Sequence, residues 1–346
     1  MHAAVLYGEN DIRYAKTPIP EIGPEDVLIK IKATGICGSD LPRVLAQGAR
    51  YYPIILGHEF SGIVHWVGSE VKDLAVGDRV SGAPLLPCHH CIDCSRGHYS
   101  QCKNYSFVGS RQSGSWAEYL KLPAKNVVPL PEGVSFVEGS FLEPITVALH
   151  GLFLMGSLGG VDLAVVGMGN IGFLTMQCAL ALGARRVYAF DIDAEKLEIA
   201  KEYGAYATIN TGSPNFKEEI WDLTEGRGFE MVVETAGVEF TEKLSLEIAA
   251  NKGEVMFIGT PSKPIQLEPA EFEYLNRKEL TVRGSWMSYS APFPGKEWEL
   301  AAYYLQNKLV DVSKLIDRQV PLAEVASVFE DLKIPGKVKG KVILEA

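Results

Sequence analysis

Basic residues are scarce in this chain of 346 residues. It carries 33 lysines and arginines against 43 aspartates and glutamates, which gives a formal net charge of −10 at pH 7. A chain this acidic has no overall attraction for nucleic acid or for an anionic membrane. We therefore expect neither as a partner, and any anionic ligand must be met by a local group of basic side chains.

The chain also lacks a continuous hydrophobic run of the kind that crosses a membrane. Residues 163–184 carry no charge, but Gly167, Gly169 and Gly172 interrupt them. This stretch is therefore predicted to be a strand, a turn and a helix rather than one spanning helix. The first residues lack the basic region of a secretion signal, so we expect a cytoplasmic protein.

Cysteine is rare, with six in all, and four of the six fall between positions 88 and 102. Without a secretion signal, a disulfide framework is not expected. Four thiolates at this spacing can instead surround a tetrahedral Zn²⁺, in a closed site with a structural role. Buried or paired cysteines are the alternative. The candidate ligands are Cys88, Cys91, Cys94 and Cys102. Three nearby histidines are interpreted as surface residues: His89, His90 and His98.

The pattern of predicted strands and helices changes along the chain. Residues 1–150 read as many short strands broken by glycine and proline, which is typical of a barrel or a related all-β unit. Residues 151–288 alternate apolar strands with helical segments, which predicts βαβ units and a parallel sheet. Residues 289–346 end in an apolar strand that is expected to rejoin the first domain.

A glycine-rich motif lies at the start of the second region. The residues 167–172, Gly-Met-Gly-Asn-Ile-Gly, follow an apolar strand and open a helix. Glycines here permit a tight turn and close approach to a pyrophosphate at the helix N-terminus. Asp191, at the end of the next strand, is placed to accept hydrogen bonds from the adenosine ribose and to repel a 2′-phosphate. The motif therefore predicts NAD rather than NADP. The expected contacts within it are Gly167, Gly169, Asn170, Ile171 and Gly172.

Four further residues are candidates for a catalytic or metal-binding role, but their spacing in the sequence does not show that they lie together in space. They are Cys37, His58, Glu59 and Glu143. Each has an ordinary structural interpretation as well. Cys37 could be a small buried hydrophobe, His58 a core histidine with satisfied hydrogen bonds, and Glu143 a favourable charge at a helix N-terminus.

Several segments, taken in order, resemble one family. They are Gly35–Asp40 (GICGSD), Gly57–Gly62 (GHEFSG), the cysteine segment, Gly77–Val80 (GDRV), Glu143-Pro144 and the glycine-rich motif. The chain is identified by them as similar to the zinc-dependent medium-chain dehydrogenases of the alcohol and sorbitol dehydrogenase superfamily. The resemblance implies a GroES-like β-barrel catalytic domain with an inserted Rossmann domain, a doubly wound parallel sheet.

The resemblance also implies roles for single residues. Cys37, His58 and Glu143 resemble the ligands of a catalytic zinc, which makes two zinc ions per subunit with the structural site. Glu59 is then expected to hold zinc-bound water or to enter the metal's shell. Ser39 resembles the hydroxyl that relays the substrate proton, and Asp40 resembles the carboxylate that orients His58.

The implied activity is the reversible oxidation of a secondary alcohol by hydride transfer to NAD. Within the superfamily the likeness is to dehydrogenases of hexitol and pentitol phosphates such as galactitol 1-phosphate. A dehydrogenase of a free polyol or diol, of the sorbitol, threonine or butanediol type, is the alternative. Further expected cofactor contacts are Lys196 and Ile258. Expected substrate contacts are Arg43, Arg111, Trp286 and Lys296, the last in a loop.

Two other expectations follow from the resemblance. The chain is expected to form a homodimer or a homotetramer. It also departs from the family at Ser115-Trp116, where Gly-Phe is common. That departure is expected to reshape the substrate pocket.

Overall fold

The structure, a computed structural model, describes residues 1–346 and divides into two compact units. The first unit comprises Met1–Glu143, Tyr289–Lys308 and Val312–Ala346. The second comprises Pro144–Ser288 and Leu309–Asp311.

The first division falls at Glu143, earlier than the expected residue 150. It lies inside a helix that runs from Leu142 to Met155, so no break in secondary structure marks it in the sequence.

Residues 1–143 form mainly short strands. The strands are β1 His2–Gly8, β2 Asp11–Lys16, β3 Asp26–Gly35, β4 Ile54–Ile55, β5 Glu59–Val67, β6 Arg79–Gly82, β7 Leu85–Leu86, β8 Ser106–Phe107, β9 Tyr119–Pro123 and β10 Val127–Pro129. The helices are α1 Asp40–Leu45, α2 Ile92–Ser95 and α3 Phe136–Gly139. Helix α4, Leu142–Met155, leads into the second unit.

The second unit alternates strands and helices. Its strands are β11 Asp162–Val166, β12 Arg186–Asp191, β13 Ala207–Asn210, β14 Phe229–Glu234, β15 Ala249–Phe257 and β16 Thr281–Gly284. Its further helices are α5 Asn170–Ala181, α6 Ala194–Glu202, α7 Phe216–Leu223, α8 Glu239–Ile248 and α9 Pro269–Arg277.

The last elements of the chain belong to the first unit. They are α10 Lys296–Gln306, β17 Ile316–Pro321, α11 Val325–Leu332 and β18 Lys341–Glu345. Lys296, expected in a loop, is therefore the first residue of α10. None of the eleven helices has both the length and the hydrophobicity needed to cross a membrane.

A sheet of seven strands organises the first unit. Its order is β10-β6-β5-β3-β18-β17, with β9 also paired to β3. Strand β3 alternates exposed lysine with buried aliphatic side chains and pairs with β5, β9 and β18, all antiparallel. Because Gly35 at its end lies opposite Glu59 on β5 and Ile343 on β18, three distant parts of the chain meet there.

The second unit is built on a parallel sheet of six strands in the order β13-β12-β11-β14-β15-β16. In chain order within the unit this is 3-2-1-4-5-6, the doubly wound arrangement that binds dinucleotides where the strand order reverses. The reversal lies between β11 and β14. Phe229 is fully buried in the core and packs on Tyr188 and Phe190.

Candidate functional site

The four-cysteine segment folds into a compact lobe. The Sγ atoms of Cys88 and Cys94 are 4.0 Å apart, and those of Cys91 and Cys102 are 3.9 Å apart. All four sulfurs lie within 4.8 Å of one another. A tetrahedron of Zn–S bonds of about 2.3 Å has edges of about 3.8 Å, so the spacing fits zinc.

The charge state of the lobe also suits a metal. Backbone N–H groups, first that of Cys94, stabilise the thiolate of Cys91 and lower its pKa to about 6. Burial raises the pKa of Cys94 to about 12, so this thiolate needs a bound cation. The three histidines of the segment are exposed, as expected of surface residues.

A second group of ligand atoms lies at the end of strand β3. Cys37, His58 and Glu59 place one ligand atom each within 4.8 Å of the others. Cys37 follows β3, and Glu59 opens the neighbouring strand β5 with His58 just before it. The pairing of Gly35 with Glu59 brings the two segments together.

Glu143 stands beside this group but outside the tight set. It is buried in the first turn of α4. Burial, reinforced by the charges of Glu59 and Asp40, raises its pKa to about 7, against the opposing influence of His58 and Lys341. The structure thus brings Glu143 into the electrostatic environment of His58, while Glu59 takes the closer position.

Asp40 is the buried carboxylate behind the ligands. Its Oδ2 accepts from the backbone N–H of Cys37 at 3.2 Å, and its Oδ1 accepts from Arg43 Nη1 at 3.1 Å. Oδ1 also lies 3.8 Å from His58 Nδ1, which is close enough for attraction and too far for a hydrogen bond. Burial raises the pKa of Asp40 despite the charges of His58 and Arg43.

Ser39 lies at the edge of the ligand group. Its Oγ donates to Cys37 Sγ at 3.3 Å and accepts from Arg43 Nη1 at 3.1 Å. Arg43 Nη1 also donates to the backbone oxygen of Ser39 at 2.8 Å. Arg43, expected as a substrate contact, is therefore also a support for Ser39 and Asp40.

Lys341 is the site residue that sequence reasoning missed. Its side chain is 3% exposed, and its Nζ donates to Glu59 Oε2 and to the backbone oxygen of Ile36. Burial favours the neutral amine, but Glu59 and Cys37 outweigh it and raise the pKa of Lys341 above its usual value. No local motif surrounds this lysine, and only the pairing of β18 with β3 brings it to the site.

The donor set fits a divalent cation. Four acidic groups converge here, and Lys341 and Arg43 supply only two positive charges. Those groups are Cys37, Asp40, Glu59 and Glu143. His58 Nδ1 is buried without a hydrogen-bond partner. Burial alone would lower the pKa of His58, but the surrounding anions, Asp40 first, raise it to about 10. A thiol sulfur, an imidazole nitrogen and carboxylate oxygens are donor types that bind zinc.

The glycine-rich motif takes the predicted form. Gly167, with φ of +98°, follows β11 directly, and α5 begins at Asn170 after Gly169. A Cβ on Gly172 would overlap the backbone oxygen of Gly167, so only glycine permits this close crossing. Ile171 lies in the first turn of the helix. A helix N-terminus that follows a glycine-rich turn is the end that favours a pyrophosphate.

Asp191 borders a cavity of about 360 Å³ next to this turn. Its Oδ2 accepts from the backbone N–H of Met168 at 2.6 Å, and its Oδ1 accepts from that of Asp193 at 2.9 Å. Lys196 Nζ lies 3.8 Å from the same carboxylate. The cavity walls are largely apolar: Val166, Phe190, Ile192, Ala236, Val238 and Phe240. Ile258 follows β15 at the same carboxyl edge of the sheet.

The remaining predicted residues are dispersed. Arg111 stacks on the ring of Tyr105 at 3.9 Å and donates to the backbone oxygen of that residue at 3.3 Å. Lys296 is exposed at the start of α10. Trp286 belongs to the second unit and is 53% exposed. Trp116, at the departure expected to reshape the substrate pocket, is fully buried in the core of the first unit.

The buried pair of Glu59 and Lys341 yields a first prediction. In metal-free protein, Lys341→Met leaves Glu59 as an uncompensated buried charge and should lower the free energy of unfolding by about 3–5 kcal/mol. Glu59→Gln should lower the free energy of unfolding by a similar amount, because it leaves the buried Lys341 without its carboxylate partner. The double variant should recover most of the loss, measured by urea unfolding. Additive losses would show that the two charges are not coupled.

Two family models match the chain. The alcohol dehydrogenase GroES-like domain matches residues 23–132, and the model described as zinc-binding dehydrogenase matches residues 170–302. The first match lies within the first unit and includes the four-cysteine lobe.

Relatives match over nearly the full length. Galactitol 1-phosphate 5-dehydrogenase of Escherichia coli K12 is 44% identical over 98% of this chain and 99% of its own length. L-threonine 3-dehydrogenase of Bacillus velezensis is 34% identical, over 94% and 93%. Sorbitol dehydrogenase of Bacillus subtilis is 31% identical, over 95% and 93%.

Solved structures agree with these sequences. The crystal structure of galactitol-1-phosphate dehydrogenase from E. coli superposes with a TM-score of 0.96 at 43% identity over all of both chains. A Sinorhizobium meliloti dehydrogenase bound to NADP superposes with a TM-score of 0.89 at 32% identity, over 100% of this chain and 99% of its own. The predicted family and fold class are confirmed: the chain belongs to the zinc-binding dehydrogenases that carry an alcohol dehydrogenase GroES-like domain, and it is a zinc-dependent, nicotinamide-linked oxidoreductase.

Proposed function

We propose that the enzyme oxidises a secondary alcohol of a polyol phosphate, galactitol 1-phosphate or a related hexitol or pentitol phosphate, to the ketose phosphate with NAD. The group of Cys37, His58 and Glu59, in which the histidine and the glutamate are buried, supports the reaction. The 44% identity to galactitol 1-phosphate 5-dehydrogenase over nearly the whole of both chains supports the substrate.

We assign the catalytic zinc to Cys37, His58 and Glu143. Glu59 lies nearer than Glu143, but Lys341 holds its carboxylate in a buried ion pair. Glu143 is buried within the electrostatic influence of His58, and we assign its carboxylate to the ligand set in place of that of Glu59. Zinc bound here supplies a Lewis acid that lowers the pKa of the substrate alcohol.

Ser39 is the group we assign to the substrate proton. Its hydroxyl lies 3.3 Å from Cys37 Sγ, at the edge of the ligand group, and Arg43 fixes it in place. The alcohol loses its proton to the Ser39 hydroxyl, which passes its own proton towards solvent. A bound nicotinamide would accept the hydride of the carbinol carbon. Together with the hydroxyl proton taken through Ser39, the alcohol would give up two electrons and two protons as it becomes the ketone.

Asp191 supports NAD as the cofactor. Its carboxylate lines the apolar cavity beside the glycine-rich turn, where a ribose 2′-phosphate would meet a negative charge. Exposed Ile192 offers no compensating cation, and Lys196 is drawn towards Asp191 at 3.8 Å. These contacts favour a free 2′-hydroxyl.

Removing the carboxylate of Asp191 should change the choice of cofactor. Asp191→Ala should lower kcat/KM for NAD about tenfold or more, since hydrogen bonds to a charged group are worth about 1.5–3 kcal/mol. Asp191→Asn, the matched control, keeps a side-chain acceptor for the N–H of Met168. It should relax the preference for NAD over NADP with a smaller loss of NAD turnover. An unchanged ratio of the two kcat/KM values in both variants would remove Asp191 from this role.

The substrate phosphate requires a local cation. Arg43 is the candidate nearest to the assigned ligands, and its side chain is 31% exposed. A guanidinium can hold phosphate oxygens through two parallel hydrogen bonds, and the hydrogen bonds of Arg43 to Ser39 and Asp40 start from Nη1. Arg111, four residues beyond Phe107, whose ring lies 5.6 Å from that of His58, is the second candidate. Trp286 and Lys296 remain proposed substrate contacts.

Arg43 is proposed to bind the substrate phosphate and also contacts Ser39 and Asp40, so its test compares a phosphorylated with a free substrate. Arg43→Ala should lower kcat/KM for galactitol 1-phosphate by roughly 10–150-fold more than for galactitol, on top of a loss common to both through Ser39 and Asp40. Arg111→Ala is the matched comparison, because it removes the second candidate cation and keeps the contacts of Arg43 with Ser39 and Asp40.

Equal losses on the two substrates in both variants would favour the alternative activity, a dehydrogenase of a free polyol or diol. The contacts of Arg43 with Ser39 and Asp40 are compatible with that alternative. They give this arginine a structural role that does not require a phosphate on the substrate. In that case galactitol itself should be turned over as well as its phosphate.

We further propose that the enzyme is a cytoplasmic homodimer joined at strand β16. Its six cysteines are unpaired, which suits a reducing compartment. All four residues of β16 are exposed at an edge of the sheet, next to a fully exposed run over residues 260–270. An open edge of this kind is normally covered. A second copy of β16, related by a two-fold axis, would cover it; a tetramer would need a further surface.

A charge placed on this edge should break the assembly. Val282→Arg should convert a dimer to a monomer in sedimentation velocity at micromolar concentration, because two copies of the new charge would face each other. Val76→Arg, at another exposed valine, should leave the dimer intact. A wild-type monomer, or a Val282→Arg dimer, would contradict the assignment.

A further inference from the structure

Trp116 is buried behind the segments that carry two of the assigned zinc ligands. Its side chain is fully buried in the core formed around β1, β18 and α11, with its ring 5.6 Å from that of Phe329. Its indole Nε1–H donates to the backbone oxygen of Gly35 at 3.2 Å. Gly35 stands two residues before Cys37, so this hydrogen bond reaches the first ligand segment.

The same ring also braces the second ligand segment. Gly57, immediately before His58, has φ of +91°, and a Cβ there would overlap the Trp116 ring. The backbone continues the contact: Trp116 N–H donates to the oxygen of Leu56 at 3.0 Å, and Ser115 N–H donates to that of Gly57 at 2.9 Å. The chain before His58 is thus pressed against Trp116 with no space between them.

Ser115 adds a third connection. Its Oγ lies 2.7 Å from Thr34 Oγ1, on strand β3, and both side chains are fully buried. Ser115 and Trp116, which we call the clasp, therefore touch the segment before Cys37 through side chains and the segment before His58 through backbone and ring. Neither residue touches a ligand atom.

We propose that the clasp is a positioning element that sets the separation of Cys37 and His58 and thereby the affinity of the catalytic metal site. The inference rests on the proposed function, because it takes these two residues as ligands. The four-cysteine lobe makes none of these contacts and serves as an internal control.

The indole N–H is the part of Trp116 that can be tested separately from its bulk. Without it, the buried oxygen of Gly35 loses this donor, and the end of β3 is held only by its pairing with β5 and β18. Partners that orient metal ligands typically change metal affinity by about 10–100-fold when removed. Phenylalanine keeps an aromatic ring and removes the donor.

The experiment is a chelator titration of zinc-loaded protein, with zinc per subunit counted by elemental analysis. In the wild type we expect two equivalents, the catalytic one leaving first because its site is open. Trp116→Phe should lose that equivalent at a chelator concentration about tenfold lower, while the other is unchanged. Phe329→Leu, which removes packing from Trp116 and keeps the N–H, should behave like the wild type.

Each failure has its own signature. Unchanged loss of the first equivalent in Trp116→Phe, or a parallel shift of both, would overturn the clasp. A wild type with one equivalent, retained in Cys37→Ser, would instead overturn the catalytic zinc assignment. If Trp116→Phe does not fold, Ser115→Ala takes its place. It should shift the first equivalent alone by several-fold, and no shift would overturn the proposal.

Discussion

A buried ion pair between Glu59 and Lys341 governs the charge of the catalytic centre. Four acidic groups meet here. Burial raises the pKa of Asp40 and that of Glu143, and the charge of Glu59 adds to the rise in both. Lys341 is buried with them and stays charged because of them. By engaging Glu59, it leaves a site with a thiolate, an imidazole and the carboxylate of Glu143, which suits a divalent metal that keeps a position open for substrate.

At this centre the fold brings together segments that are far apart in the sequence. Cys37 follows the end of strand β3, β5 begins with Glu59, and β18 brings Lys341 from near the end of the chain. Behind them, Trp116 fills the space against which Gly57 packs. The second unit places its glycine-rich turn and Asp191 at the carboxyl edge of its sheet by the same principle.

The sequence predicted the sites whose residues lie close together along the chain. The four cysteines lie within 15 positions, and the glycine-rich motif with its flanking strand and helix is one continuous βα unit, so spacing alone was informative. Lys341 is separated from Glu59 by 282 positions and Trp116 from Gly35 by 81, and no periodicity links them. Arg43 was singled out for its charge, but its bonds to Ser39 and Asp40 depend on the turn at α1.

The central claim is that Lys341 reserves Glu59 and leaves Glu143 as the carboxylate ligand of the catalytic zinc. A crystal structure of the zinc-loaded enzyme, with the metal located by anomalous scattering at the zinc edge, tests it directly. The account predicts zinc bonded to Cys37, His58 and Glu143, with Lys341 Nζ still within hydrogen-bond distance of Glu59. Zinc bonded to Glu59, with Lys341 displaced and Glu143 outside bonding distance, would contradict it.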